Sequence, residues 1–408
     1  MTSTGKILIL KLQDKLLSLL LSGGQILSAR AQQEKAITVG DIYIGKVQNI
    51  SQNIDAAFVD LGGRYLTFLP MADAKAAIVV NRKPDGSIKT GDEILVQVIK
   101  EPMKTKLASV TTKISLSGRY VVVGTRDVTP KDTRAKEKET AGSVQVSSKL
   151  SKKQLNRFRS LESLQLLSEH YRIIVRTNAG TLMEESPLEQ EAEELTRSLS
   201  HILAVADKRT CYSCLYHSKP DYITFVQNTY RTEYDEVITD LPAVYETLQE
   251  TFQDTDVPIR FYEDKFLPLH KLYAVEARIQ ELLDKKVWLK SGGYLVIEPT
   301  EALISIDVNT GKCETGKNAE ETFVKINQEA ARMIALQLRA RNLSGMILVD
   351  FINLKQKEHE TQLIEYMRKL LRQDSVPANV VDMTGLGLME LTRKKVDASF
   401  AQQMRKDD

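Results

Sequence analysis

The residues best suited to chemistry lie in the stretch LISIDVNTGK, which runs from Leu303 to Lys312. Its apolar part is typical of a buried strand, and it ends in Asp307 and Asn309. Two explanations are open. Asp and Asn often close a strand by hydrogen-bonding to their own backbone in a turn. Alternatively, carboxylate and amide oxygens at a strand end are suitable ligands for a divalent metal ion.

A second apolar run, GMILVDFINL, carries Asp350, and a long helix is predicted between the two runs, from about Ala319 to Arg341. Parallel strands joined by a helix end at the same edge of a sheet, where α/β proteins bind ligands. Asp307 and Asp350 would then converge, with Asn309 on the same face. Such oxygen ligands suit Mg²⁺ or Mn²⁺, and such an ion supports phosphodiester hydrolysis. Spacing alone leaves two unrelated turn aspartates as the alternative.

The other candidate sites are weaker candidates for catalysis or metal binding. Cys211 and Cys214 have the spacing of a zinc-binding pair and His217 follows them, but the sequence has no second pair nearby, which favours a structural or incidental role. Cys313 is interpreted as a packing residue. The sequence contains neither a P-loop nor a dinucleotide-binding fingerprint.

Composition bounds the class of protein. The 408 residues are enough for two to four domains, and the hydrophobic fraction of 42% is ordinary for a globular protein. With 56 Lys and Arg against 54 Asp and Glu, the net charge is only +2, so any nucleic-acid-binding surface must be local. Three cysteines indicate a reducing compartment, and no signal peptide or membrane span is visible, so we expect a cytoplasmic protein.

The elements that must position these residues form several regions. Residues 1–36 read as one or two strands, too few to fold alone, and should pair with a later segment of the chain. Residues 37–118 are short β-rich runs between Gly and Asn turns, which predict a small barrel of the OB type. Residues 125–153 are polar, without an apolar period, and are predicted to be an exposed loop.

Two aromatic residues of the predicted barrel can be placed by the register of a hairpin. If Gly62-Gly63-Arg64 is a three-residue hairpin loop, Phe58 lies opposite Phe68 on one face of the sheet. Two rings on one face are a platform for stacking bases. Periodicity alone instead favours both rings as barrel core.

Taken together, these stretches resemble the ribonuclease E/G family of bacterial endoribonucleases over nearly the whole chain. The strongest similarity is in GGYLVIEPTEALISIDVNTGK and AARMIALQLRARNLSGMILVDFINL. GDIYIGKVQNI, AAFVDLGG and FLP resemble the S1 domain of that family, and VRTNAG and MTGLGLMELTRKK also match, in the same order.

The resemblance implies a multidomain α+β and α/β architecture. A ribonuclease H-like fold is split around an inserted S1 (OB) barrel and a 5′-end sensor, and a deoxyribonuclease I-like α/β catalytic domain ends the chain. The expected boundaries are, in chain order, 1–36 (first segment of the ribonuclease H-like fold), 37–118 (S1), 119–214 (sensor), 215–285 (second segment of the ribonuclease H-like fold) and 286–408 (catalytic).

The resemblance also implies roles for individual residues. The catalytic positions are Asp307, Asn309 and Asp350, with the two aspartates as metal ligands for Mg²⁺. The positions that bind the 5′-monophosphate of RNA are Gly118, Val122, Arg176, Thr177 and Arg393. The positions in the S1 domain that contact RNA are Phe58, Phe68 and Lys106. For the two phenylalanines this favours the stacking platform over the core.

One departure from the family concerns assembly. Ribonuclease E has a Cys-x-x-Cys zinc link after the catalytic domain that joins two subunits, but no Cys follows Cys313 here. We therefore expect no structural zinc, and we still expect a homodimer, since two-fold pairing is the commonest assembly. The scaffold tail of ribonuclease E is also not in this sequence, so a degradosome-like assembly is not expected and the chain is nearer to ribonuclease G.

The resulting expectation is a Mg²⁺-dependent endoribonuclease, with Mn²⁺ as a substitute, that cuts single-stranded RNA, is stimulated by a 5′-monophosphate and acts in RNA processing and decay. Its products would carry 5′-phosphate and 3′-hydroxyl ends. Two alternatives are a non-catalytic S1-type RNA-binding protein and a metal-dependent phosphodiesterase acting on DNA.

Overall fold

The computed structural model describes residues 5–32, 37–63, 65–75, 77–83, 85–102, 106–126, 143–253, 255–311 and 319–405. The chain forms two compact units. Met1–Gln33 and Asp221–Asp408 make the first unit, and Glu34–Pro220 makes the second. The second unit is therefore an insertion between two segments of the first.

The chain begins with an antiparallel meander of three strands: β1 (Gly5–Leu12), β2 (Lys15–Ser22) and β3 (Gln25–Gln32). The middle of β1 is a continuous run of four apolar residues, Ile7 to Leu10, as expected for a strand that is covered on both faces. Leu8 and Leu10 enter one core cluster, whereas Ile7 and Ile9 enter another.

The inserted unit opens with a closed five-stranded barrel. Its strands and one short helix are β4 (Ile42–Ser51), β5 (Ala56–Asp60), β6 (Leu66–Pro70), α1 (Met71–Ala74), β7 (Glu93–Lys100) and β8 (Ala108–Thr111). The strand order is β4-β5-β6-β8-β7, and β7 pairs back onto β4 to close the barrel. The predicted small barrel is confirmed.

A second sheet of the inserted unit follows the barrel. It has the order β11-β12-β10-β9, and helices pack against it. The elements are β9 (Ser115–Ser117), β10 (Val121–Thr125), β11 (Gln145–Val146), α2 (Lys152–Arg159), α3 (Glu162–His170), β12 (Tyr171–Val175) and α4 (Ser186–Val205), with β13 (Cys214–Tyr216) returning to pair with β4. Most of the predicted exposed loop, residues 127–142, lies outside the described residues.

The chain then re-enters the first unit and completes the opening meander. The elements are α5 (Asp221–Asn228), β14 (Tyr234–Thr239), α6 (Pro242–Phe252), β15 (Ile259–Phe261), α7 (Leu269–Leu272) and α8 (Val275–Leu283). β14 pairs in parallel with β1, and β15 pairs in parallel with β14, which gives the order β15-β14-β1-β2-β3. The expectation that the first segment pairs with a later segment of the chain is confirmed.

The last segment of the chain forms a six-stranded mixed sheet with the order β16-β17-β18-β19-β21-β20. Its elements are β16 (Lys286–Trp288), β17 (Tyr294–Pro299), β18 (Ile304–Asn309), α9 (Ala319–Ala340), β19 (Gly345–Asp350), α10 (Lys357–Leu371), β20 (Ala378–Met383), β21 (Leu388–Arg393) and α11 (Phe400–Met404). Helix α9 connects the parallel neighbours β18 and β19. It packs with α10 on one face of the sheet, where the apolar strand residues are buried.

Candidate active site and RNA-contacting surfaces

The candidate site lies on the face of the last sheet that α9 and α10 leave uncovered. Along β18, Ile304, Ile306 and Val308 are buried, whereas Ser305 and Asp307 are exposed. This alternation follows from the two-residue period of a strand, which turns successive side chains to opposite faces. We call the uncovered side the open face.

Two carboxylates lie side by side on the open face. Asp307 of β18 is the register partner of Asp350 of β19, so the two residues are one strand spacing, about 4.8 Å, apart. Both side chains are exposed. Asn309 lies two residues beyond Asp307 on the same face, and its Nδ2 donates to Asp307 Oδ2 at 2.7 Å. The structure thus brings together the three residues that the sequence nominates as catalytic.

The donor set at this position fits a hard divalent cation. Mg²⁺ is usually held by one or two carboxylates and completes its shell with waters and substrate phosphate. Two adjacent exposed carboxylates and a nearby amide provide such a partial shell. Within the described ranges, no group of three or more His, Cys, Asp or Glu side chains converges to form a fuller metal cage.

The backbone that follows Asp350 is fixed from helix α9. Asn327 is fully buried, its Nδ2 donates to the Ile352 carbonyl at 2.7 Å, and its Oδ1 accepts from the Ile352 N–H at 3.1 Å. Glu320 accepts from the N–H of Lys355 at 3.0 Å. It also contacts the Nδ1 of His359 at 3.1 Å, and this hydrogen bond lowers the pKa of the glutamate.

The predicted 5′-phosphate residues of the inserted unit gather around one end of its second sheet. Gly118 lies in the turn between β9 and β10, and its carbonyl accepts from Arg176 Nη1. The N–H of Arg176 in turn donates to the Tyr120 carbonyl at 2.7 Å. Thr177 follows Arg176, and its hydroxyl is 2.8 Å from that of Ser147.

Val122, the fourth of these residues, is one strand position inside the sheet, paired with Ser117 and Ile174. The turn before it is shaped by Glu191 of α4. This carboxylate accepts from three consecutive backbone N–H groups: those of Arg119 at 2.6 Å, Tyr120 at 2.7 Å and Val121 at 3.0 Å.

The fifth predicted 5′-phosphate residue is Arg393. It belongs to the other unit, ends β21 and is 3% exposed. Its Nε donates to Asp374 Oδ2 at 2.8 Å, and its Nη1 donates to Asn342 Oδ1 at 2.9 Å and to the Leu343 carbonyl at 3.0 Å. These contacts hold the Arg393 guanidinium within its own unit, and the phosphate contact implied for it stays a prediction.

The barrel carries its two phenylalanines on the outside. Phe58 and Phe68 are register partners, as the three-residue loop predicts, although Arg64 of that loop lies outside the described residues. The rings meet edge to face with centroids 6.3 Å apart, and both are only partly buried. The interpretation of these rings as barrel core is therefore wrong, because the interior is filled by other residues such as Val59 and Leu69.

The outer row that contains the two rings extends to both sides. Asn49 pairs with Phe58, Phe68 pairs with Ser109, and Ser109 pairs with Lys100, which is exposed. Lys106, the predicted third contact, is also exposed and precedes β8 by two residues. Aromatic faces next to exposed lysines are the combination that single-stranded nucleic acid binds.

The cysteine pair lies beside the barrel. Cys214 Sγ is 3.5 Å from His217 Nδ1 and donates to the Tyr216 carbonyl at 3.3 Å. Burial raises the pKa of the Cys211 and Cys214 thiols above the ordinary value of a cysteine. Cys313 lies outside the described residues.

Comparison with known proteins identifies the chain. A model of the Ribonuclease E/G family matches residues 115–396, and a model of the S1 RNA binding domain matches residues 37–113. The first match covers more than half of the sequence. The chain belongs to the Ribonuclease E/G family.

Proteins named ribonuclease G or ribonuclease E are similar to this chain over most of its length. Ribonuclease G of Haemophilus influenzae is 33% identical over 386 residues, covering 90% of this chain and 75% of the relative. Ribonuclease G of Escherichia coli K12 is 30% identical over 378 residues, covering 89% and 74%. Ribonuclease E of Synechocystis is 32% identical over 371 residues, covering 88% of this chain and 52% of the relative. The chain thus spans about half the length of that ribonuclease E.

In this member of the Ribonuclease E/G family, most of the residues that hold the candidate sites in place cannot be identified from the sequence alone. The sequence alone indicates no role for Glu320, whereas a polar residue within the apolar stripe of a long helix is a signal that can identify Asn327. The sequence gives no signal for Glu191, because the three backbone N–H groups that donate to its carboxylate lie about 70 positions earlier in the chain.

Among the helices that the structure describes, none is long and apolar enough to cross a membrane.

Proposed function

We propose that the protein is a Mg²⁺-dependent endoribonuclease that cuts single-stranded RNA and is stimulated by a 5′-monophosphate. Membership of the Ribonuclease E/G family makes the chain an endoribonuclease, with an S1 domain for binding RNA. The observation that carries the finer proposal is the register pairing of Asp307 with Asp350 on the open face, with Asn309 bound to Asp307.

The chemistry of these three side chains is complementary. Asp307 and Asp350 would hold Mg²⁺, which when bound lowers the pKa of water and offsets negative charge on the phosphate. Asn309 fixes the orientation of the Asp307 carboxylate through its Nδ2, and its Oδ1 remains an acceptor. Water attacks phosphorus in line and loses a proton, the bond from phosphorus to the 3′-oxygen breaks, and that oxygen takes up a proton, so that no net proton is gained or lost. The products carry 5′-phosphate and 3′-hydroxyl ends.

The strand orders support the finer fold assignments that we propose. The first sheet is a three-stranded meander to which two parallel strands return after the insertion, in keeping with a split ribonuclease H-like fold. The last sheet is mixed, with helices on one face and the carboxylates on the other, in keeping with a deoxyribonuclease I-like catalytic domain. We also propose that the protein is a cytoplasmic homodimer that acts in RNA processing and decay. Its molar mass in solution, measured by light scattering, would test whether it is a dimer.

The decisive experiment measures cleavage of single-stranded RNA and DNA with and without Mg²⁺ or Mn²⁺. Asp307→Asn and Asp350→Asn should each abolish RNA cleavage and leave RNA binding in place, because each removes one negative metal ligand at constant volume. Asp382→Asn is the matched control, since this exposed aspartate lies on the open face two strands away from Asp350. Near-normal turnover of either active-site variant at saturating Mg²⁺ would refute the site.

The same assay separates the alternatives. Cleavage of DNA at a rate similar to that of RNA would favour the DNA phosphodiesterase, and binding without cleavage under all conditions would favour a non-catalytic S1-type protein.

The sensor is tested by comparing substrates with different 5′ ends. A guanidinium can bind a terminal phosphate bidentately, and the hydroxyl of Thr177 adds a donor beside it. Arg176→Ala should therefore slow cleavage of 5′-monophosphorylated RNA to the rate seen with 5′-hydroxyl RNA. Equal cleavage of the two substrates by the unmodified protein would show that no sensor operates here.

A further inference from the structure

A cluster of two aromatic rings and a lysine lies on the open face beside the carboxylate pair. Trp288 of β16 pairs with Tyr294 of β17, and Tyr294 pairs with Asn309 of β18. Because paired residues share a face, both rings are on the same side of the sheet as Asn309. Lys286 is two residues from Trp288 and so lies on that face as well.

The three side chains contact one another. The Trp288 and Tyr294 rings have centroids 5.4 Å apart and an interplanar angle of 62°. The Lys286 Nζ lies 4.1 Å from the centroid of Trp288 and 3.7 Å from that of Tyr294. These cation–π contacts hold the ammonium group between the two rings.

The rings are exposed, which a core role does not explain. Trp288 is 62% exposed, although Trp is highly buried on average. An edge-to-face pair can stabilise an edge strand, but such a pair gains most when it is desolvated. An indole left open next to a fixed cation is instead suited to a ligand that has both a flat π-face and a negative charge.

The position of the cluster matches a nucleotide next to the scissile phosphate. Tyr294 is one strand spacing from Asn309 and Trp288 is two, which is about 5 Å and about 10 Å across the sheet. If the scissile phosphate lies at Asp307 and Asp350, the nucleotide attached to it is therefore within reach of the two aromatic rings.

We propose that Lys286, Trp288 and Tyr294 form a nucleotide-binding subsite of the active site, called here the aromatic platform. The base of a nucleotide flanking the scissile phosphate stacks on Trp288, with Tyr294 as the second ring, and Lys286 contacts a backbone phosphate. Since every base has a π-face, this subsite accepts any base and selects single strands. The proposal rests on the proposed ribonuclease function, which it extends from the reacting phosphate to the adjoining nucleotide.

Fluorescence provides a direct test, because Trp288 is the one tryptophan of the sequence. In the Asp350→Asn background, which should bind RNA without cutting it, titration with a short single-stranded oligoribonucleotide should quench the emission. A matched RNA duplex should quench it far less. Unchanged emission at RNA concentrations that saturate binding, measured independently by anisotropy of a labelled RNA, would overturn the platform.

Kinetics provide the second readout. Trp288→Ala should raise KM by roughly fivefold to a hundredfold, the range expected for the loss of one stacked base, with kcat less affected. Trp288→Phe should recover much of the loss. The matched control is Phe266→Ala, which removes a 96% exposed ring of the same unit outside the open-face sheet.

The lysine has its own matched control. Lys286→Met should raise KM and weaken its salt dependence, whereas Lys285→Met, which removes an exposed lysine paired with Glu298 at 3.1 Å, should not. Thermal melts of all variants detect a merely structural role, which would lower stability and leave KM unchanged.

The outcomes distinguish this proposal from the proposed function. If RNA is cleaved normally by the platform variants and the emission does not respond, the platform is wrong and the ribonuclease function stands. If the unmodified protein cleaves no RNA, the catalytic proposal fails, and quenching by RNA still decides whether the cluster binds nucleotides.

Discussion

Replacing Phe68 by Ala should weaken RNA binding far more than it weakens the fold. Phe68 points outward from the barrel, is partly exposed and contacts Phe58 edge to face at 6.3 Å. Its chain neighbour Leu69 points inward and is fully buried. The two adjacent residues therefore offer a matched comparison of the two sides of one strand.

The expected magnitudes follow from these positions. Phe68→Ala loses an aromatic pair worth about 0.5–1.5 kcal/mol and a portion of one half-exposed ring, so the free energy of unfolding should fall by about 1–2 kcal/mol. Leu69→Ala removes a core side chain and should cost about 2–5 kcal/mol. For RNA affinity the order reverses, since a lost stacking contact costs about 1–3 kcal/mol per base.

The assay combines denaturant unfolding with RNA-binding titration on the same samples, at a fixed salt concentration because phosphate contacts are salt-dependent. Phe68→Ala should bind RNA at least fivefold more weakly, whereas folded Leu69→Ala should bind nearly as the unmodified protein does. The reasoning is refuted if Phe68→Ala loses as much stability as Leu69→Ala and keeps its affinity, because the ring would then be acting as core.

Three further predictions concern residues that shape the sites. Asn327→Leu should lower both stability and turnover, because it leaves two backbone groups after β19 unsatisfied at about 1–3 kcal/mol each; unfolding and cleavage assays check this. Glu320 has a pKa below its ordinary value of 4.5, chiefly through its hydrogen bond to His359, so its contribution to stability is present above pH 4.5 and is lost as pH falls through the lowered value. Unfolding curves of the unmodified protein and of Glu320→Gln should therefore converge under acidic conditions, and a constant difference at all pH values would contradict the assignment. Gly118→Ala should destabilise the inserted unit, because the new Cβ would collide with the carboxylate of Glu191, which caps three N–H groups of the turn; hydrogen exchange of those amides is the measurement.

The juxtaposition of Asp307 and Asp350 could be predicted because it depends on a general rule. If a strand, a crossover helix and a second strand form parallel neighbours, carboxylates near the two strand ends lie at one edge of the sheet. The rule needs only the order of elements and the position of each residue along its strand, and both are legible in the sequence.

The sequence does not predict in the same way whether Phe58 and Phe68 lie inside or outside the barrel. Their register follows from loop length, but the strands AAFVD and LTFLP carry apolar residues at both parities, so alternation cannot say which set is inside. The narrow interior of a five-stranded barrel decides it, since Ala57, Val59 and Leu69 fill it and the larger rings remain outside.

Arg393 shows the other limit of sequence reasoning. A motif match places this arginine in a family position, yet its partner Asp374 is 19 residues away in the loop between α10 and β20, and the sequence carries no pattern that pairs them. A buried guanidinium requires such a partner, and only the folded chain shows that Asp374 supplies it.

The split of the first unit has a consequence for the time course of synthesis. The strand that covers one edge of β1, β14, begins 229 positions after it, from Gly5 to Tyr234. At about 5–20 residues per second, the ribosome needs roughly 10–45 s to deliver it. Until then the apolar meander presents an unpaired strand edge, which is a hazard for aggregation. The inserted unit is synthesised entirely within this interval and can fold first. The sheet of the first unit is therefore completed late, and a chain released before β14 would carry a complete barrel and a three-stranded meander with one unpaired edge.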